Sequence, residues 1–184
     1  MDTFKNFFLT FDDGYEDNYF RLFPLLKKYN FKAVIYLVTQ EDHNSWGVKE
    51  GETRKNLMTD VQIKEMSDNG IEFGGNTQHY PVLHDLDEVE KRIEISQCKS
   101  DIEKKIGKGV VSFAYLFGAI SEEIKKIMKE AGNTFGIATK NSPLHWQEDY
   151  FHVRRIEIEI ATRTTFWGFN RKVSGKYLTH KFFI

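Results

Sequence analysis

The sequence predicts an α/β fold of parallel strands joined by crossover helices, either an α/β barrel or a doubly wound sheet. Three observations carry this. Short apolar, β-branched or aromatic runs alternate with helical patterns along most of the chain. Helix start and stop signals separate them at Thr59, Gly70, Gly107, Ser121 and Gly132. The 184-residue length suits one domain and one core, so the whole chain, 1–184, is read as a single domain.

The elements follow in order. Phe7–Phe11 reads as a buried strand ending at Asp12-Asp13-Gly14, a turn signal. Residues 16–29 carry Tyr19, Leu22, Phe23, Leu26 and Tyr29 at helical spacing, with a bend at Pro24. Phe31–Leu37 is a second strand, and residues 39–57 form a long polar loop of the kind that often serves function. Thr59 and Gln62 make a capping box for a helix ending at Gly70. Ile71–Phe73 is a strand, 74–85 a loop, and 86–106 a helix with Leu86, Val89, Ile93, Ile102 and Ile106 on one face. Val110–Tyr115 is a strand; Ser121 caps a helix bearing Ile124, Ile127 and Met128; Thr134–Ala138 is another strand. Arg155–Ile160 alternates as a half-exposed strand, and 161–184 is a last helix or a tail.

A net charge of −1 gives no reason to expect nucleic acid or an anionic membrane as partner. The single cysteine, Cys98, excludes an intrachain disulfide. No stretch has the length of a membrane span, and the first residues do not read as a secretory signal. The chain therefore reads as cytoplasmic; an extracellular or periplasmic protein with its leader removed would read the same. Sixteen Phe, eight Tyr and three Trp stand out; much of that is core, and aromatics also stack on the flat faces of ligands such as sugars.

In parallel α/β folds chemistry gathers at the carboxyl ends of strands. Three such ends stand out. Asp12 and Asp13 are adjacent carboxylates whose repulsion a cation or shared proton would relieve; the same letters also suit an Asp-Gly turn. Gly74-Gly75 precedes Asn76-Thr77-Gln78-His79-Tyr80, where paired glycines allow close backbone approach to a ligand, and His79 and His84 are possible metal ligands or surface histidines. Tyr115-Leu116-Phe117-Gly118 alone reads as a strand and turn.

Taken in order, these segments resemble the polysaccharide deacetylase family (carbohydrate esterase family 4, the NodB homology domain), in its poly-N-acetylglucosamine deacetylase branch. The match rests on Thr10-Phe11-Asp12-Asp13-Gly14, on Gly70-Ile71-Glu72-Phe73-Gly74 with Pro81-Val82-Leu83, and on Tyr115–Gly118. The resemblance implies a distorted (β/α) barrel and a hydrolase that removes N-acetyl groups from GlcNAc-type oligo- or polysaccharides or glycoconjugates. It implies a divalent metal, often zinc, which polarises the amide and activates water. By position Asp12 is the general base, Asp13 a metal ligand, and the Phe117 backbone amide an oxyanion donor. Tyr115 and Thr77 are expected to touch substrate.

The sequence departs from the family where the metal should be held. Asn76 and Tyr80 fill the two histidine positions, and neither is a good zinc ligand. His79 lies one residue early and could join Asp13 and Asn76. Leu116 replaces the motif's proline. The family's late Leu-x-His motif, whose histidine protonates the leaving amine, is not evident; His145, His152 and His180 are candidate substitutes, and Leu178-Thr179-His180 has the right letters. Three functions remain open: a metal-dependent N-deacetylase with altered ligands and reduced activity, a non-catalytic relative that binds glycan or protein, and a metal-independent amidohydrolase. The oligomeric state is left open.

Overall fold

The computed structural model describes residues 8–139, 147–156 and 158. Within them six strands form one sheet in the order β1-β2-β3-β4-β5-β6, every neighbouring pair parallel. The strands are β1 Leu9–Phe11, β2 Ala33–Leu37, β3 Glu72–Gly75, β4 Ser112–Ala114, β5 Phe135–Ala138 and β6 Val153–Arg154. The helices are α1 Phe23–Tyr29, α2 Ser45–Lys49, α3 Asp60–Asp68, α4 Glu88–Ile106 and α5 Glu122–Glu130. This is the sheet curled into part of a barrel, as expected of the NodB type. Curling brings Arg155, just past β6, onto Asp12, just past β1, 143 positions away in sequence.

The local chemistry explains most boundaries. Both capping boxes form: Thr59 with Gln62 at α3, and Asp87 with Glu90 at α4. Ser121 accepts the Ile124 N–H at 3.2 Å to start α5. Gly107 ends α4 in the left-handed conformation, where an L side chain would clash. Pro24 begins α1 rather than bending one long helix. It lacks an N–H, and the preceding Asn18–Leu22 turn widens to π geometry.

Three expectations are corrected. The inward face of α4 is Lys91, Glu94, Ile95, Cys98, Ile102 and Ile106, while Val89 and Ile93 are exposed. The apolar letters misled because Glu94 and Lys91 have partners in the interior: Glu94 accepts the Gln78 and His79 amides, and Lys91 pairs with Glu123 at 2.9 Å. The last described strand is Val153–Arg154, with Arg155, Ile156 and Ile158 beyond it; the rest of the strand expected over 155–160 lies outside the described residues. The 39–57 segment contains the helical turn α2. The expected tail 161–184 lies outside the described residues.

The core has two parts. One lies between β1–β3 and α1, α3 and α4, around Ile35, Met66, Phe73, Cys98 and Ile102. The other lies under β4, β5 and α5, around Ile95, Phe113, Ile124 and Met128. The glycine pair in β3 serves this packing. A Cβ on Gly74 would meet the Ser112 carbonyl at 2.8 Å and the Tyr36 ring, and one on Gly75 would meet Phe113 at 2.8 Å. The close approach is therefore to neighbouring strands, not to a ligand. No helix of the described residues is long and apolar enough to cross a membrane.

Candidate functional site

The segments after β1, β3, β4 and β6 supply one cluster at the carboxyl side of the sheet. Four of its residues hold left-handed backbone without being glycine: Asp13 (φ 68°), Thr77 (72°), Tyr80 (61°) and Phe117 (55°). Such conformations cost energy for L residues and persist only where the surroundings impose them.

Asp12 and Asp13 are adjacent but have different partners. Arg155 grips Asp12 with both guanidinium nitrogens, one at 2.6 Å from Oδ1 and the other on Oδ2. This planar fork fixes the carboxylate. Arg155 also lies over the Tyr36 ring at 5.9 Å. Asp13 receives the Asn76 amide N–H at 3.1 Å and a hydrogen bond from the Tyr15 hydroxyl. Burial, and then the neighbouring Asp12 charge, push its pKa up to about 7, against the smaller pull of Tyr15 and Arg155.

Aromatic rings surround the carboxyls. Tyr80 stacks on Trp46 of α2 with ring centroids 4.0 Å apart and planes 7° from parallel. On its other side Phe117 meets it edge-on at 5.6 Å and 87°. The Trp46 side chain hydrogen-bonds Tyr15, and the rings lie 6.4 Å apart. Burial and the charge of Asp13 hold the phenols of Tyr15 and Tyr80 well above the usual tyrosine range.

The structure brings together Asp12, Asp13, Asn76, Tyr80 and Phe117 of the residues singled out in the sequence. It separates others. His79 is turned to α4, its Nδ1 2.7 Å from Glu94 Oε1, with a side chain 56 % exposed. Its expected place beside Asp13 is thus corrected: buried Glu94 offers a charged acceptor that Asn76 does not. Thr77 has no exposed surface, and its hydroxyl accepts the Tyr80 N–H at 3.1 Å, which shapes the loop. Tyr115 is 2 % exposed, and its hydroxyl donates to the Phe151 carbonyl at 2.8 Å, so its side chain belongs to the core. His84 is exposed on a 3-10 turn. His180 and His145 lie outside the described residues.

These contacts test the expected zinc site. Asn76 presents its N–H, not its carbonyl, to Asp13. Tyr80 is stacked on Trp46, and His79 is engaged elsewhere. Among the described residues no three His, Cys, Asp or Glu are grouped to hold a metal ion. The donor set does not fit zinc.

Sequence reasoning missed Arg155, Tyr15 and Trp46. The sequence pattern makes Arg155 the opening of a half-exposed strand. Its place at a strand's carboxyl end, opposite an unneutralised Asp pair, was the available signal. Trp46 sat in a loop without periodicity and gave none.

The polysaccharide deacetylase family matches residues 2–136 of the sequence. The chain belongs to this family. The poly-beta-1,6-N-acetyl-D-glucosamine N-deacetylase of Staphylococcus epidermidis is 24 % identical over 161 residues, covering 83 % of this chain. The chain spans about half the length of the curated relatives it matches, 54 % of that enzyme and of YxkH from Bacillus subtilis. Among solved structures, the Streptococcus pyogenes deacetylase PplD has a TM-score of 0.78 at 22 % identity, over 94 % of this chain and 72 % of PplD. A CE4 family pseudoenzyme from Bacillus anthracis shares the fold at TM-score 0.55 and 23 % identity, over 71 % of this chain and 42 % of its own.

Proposed function

We propose that this member of the polysaccharide deacetylase family binds an amino-sugar glycan without metal-dependent turnover. The observation that carries the reading is the hydrogen bond from Asn76 to Asp13. A neutral donor meets the carboxyl that the family gives to its metal, and the second family position, Tyr80, is committed to a ring stack. The retained fold and the exposed ring of Phe117 leave a glycan-facing surface without the metal's chemistry. Titration calorimetry with N-acetylglucosamine and glucosamine oligomers tests this, with and without chelator, beside an assay for released acetate and the metal content after dialysis against zinc. Binding unaffected by chelator, with no acetate released, is the expected result. About one metal per chain, lost in Asp13→Ala, with acetate release that stops in chelator, would overturn it.

One observation favours a second reading, a metal-free amidohydrolase: Arg155 aligns the Asp12 carboxylate as a base would need to be aligned. Asp12 would take a proton from water as its oxygen bonds to the amide carbon. The Phe117 N–H would hold the developing oxyanion. The C–N bond would then break as Asp12 returns the proton to the leaving amine, giving acetate and free amine. Acetate release that persists in chelator and vanishes in Asp12→Asn distinguishes this reading from the first.

A further inference from the structure

Beyond glycan binding in general, we infer that the ledge formed by Trp46, Tyr80 and Phe117 beside Asp13 is a subsite for a glucosamine unit, the cationic free-amine form of the sugar. The inference rests on the glycan-binding reading and names which glycan.

The ledge suits the ring of a pyranose. Phe117 is 67 % exposed, an unusual state for a large apolar side chain at the mouth of a site. Its ring is braced edge-on by Tyr80, and Tyr80 is braced in turn by Trp46. A braced ring has little freedom left to lose when a ligand stacks on it. The loop behind Trp46 is fixed as well. Asn44 is fully buried, accepts the Lys55 N–H on its side chain at 2.7 Å, and donates its amide to the Thr53 carbonyl at 3.2 Å. The chain on both sides of α2 is thereby stapled together. The axial C–H face of a pyranose is apolar and flat, and an exposed, immobile phenyl ring is its complement.

The surroundings suit an ammonium group. Asp12 is matched by Arg155, but Asp13 is bonded to the neutral groups Asn76 and Tyr15. The charge of Glu52 acts on Asp13 and on both tyrosines, though Glu52 is itself paired with Lys55 at 3.7 Å. The same group of rings already hosts one cation, since Lys55 Nζ lies 5.5 Å from the centre of the Tyr15 ring. A sugar ammonium brings three N–H donors and a positive charge to this edge. An N-acetyl group brings one N–H and sets a carbonyl oxygen against the carboxyls.

The test is calorimetric titration of the full chain at neutral pH and low salt with a glucosamine tetramer and an N-acetylglucosamine tetramer. The glucosamine tetramer is expected to bind at least ~10-fold more tightly, with the preference shrinking as salt is added. Asp13→Asn is expected to bring the two ligands within about 2-fold, a loss of the order of a charge-assisted hydrogen bond. Phe117→Gly suits the left-handed backbone and so preserves the fold; it is expected to weaken both ligands alike. Equal or tighter binding of the acetylated tetramer, or a preference that survives Asp13→Asn, overturns the glucosamine subsite and leaves glycan binding standing. Binding of neither tetramer by protein with a folded circular dichroism spectrum overturns both.

Discussion

The ends of β1 and β3 face one another across the site and have taken opposite courses. At β1 the family letters are intact, and their two charges need help from elsewhere: Arg155 for Asp12, Asn76 and Tyr15 for Asp13. At β3 the polar groups find their partners within the protein. Asn76 gives a hydrogen bond where a cation would have given charge, and Tyr80 is held by Trp46 and Phe117. The difference teaches that half-buried polar groups are tolerated when each finds a protein partner.

The largest expected effect tests the β3 side. Gly74→Ala would press a Cβ against the Ser112 carbonyl and the Tyr36 ring, between two strands that cannot move apart. A loss of about 3 kcal/mol or more is expected, read as a lower urea midpoint. If Gly74→Ala costs under about 1 kcal/mol, the strand glycines were not packing residues and a ligand role for them returns.

The β1 side is tested by Arg155→Met, which leaves Asp12 without its fork. Asp12 is more than one-third exposed, so water softens the loss, and about 1–2 kcal/mol is expected in chemical denaturation. A neutral result would mean that the two ends of the sheet are held by other contacts.

The smallest effect concerns the charge that both sides share. Asp13 has a folded-state pKa of about 7, above its ordinary value of 3.8. A raised carboxyl pKa means that the folded protein holds the proton more tightly than the unfolded chain. Its favourable contribution is full below pH about 4 and is lost as pH rises through about 7. Asp13→Asn should therefore melt at a higher temperature than the parent at pH 8, by a few degrees, with little difference at pH 4. The reverse order at pH 8 would mean that the Asp13 anion is stabilised in place.

Much of this fold was legible in the sequence because its strands are short apolar runs and its helices begin or end on capping residues such as Thr59, Ser121 and Gly107. The site was legible at Asp12, Asp13, Asn76, Tyr80 and Phe117, through letters at strand ends. What stayed hidden was pairing at long range. Glu94 looks like a solvent residue until the turn at Gln78 and His79 folds onto it, and His79 looks like a ligand for the same reason. Arg155 could not be placed until the sheet was seen to curl.

That curl has a consequence for how the molecule forms. Each strand pairs with the next along the chain, so the sheet can be laid down in order as the polypeptide emerges. The Asp12–Arg155 bond breaks that order, since its halves are separated by 143 positions. Asp12 must wait, exposed, until nearly every described element has been made. The seam between the first and last described strands is therefore the last part of the described sheet to close, and the carboxyl pair sits on that seam. Slowing the arrival of Arg155 would delay the site without delaying the core.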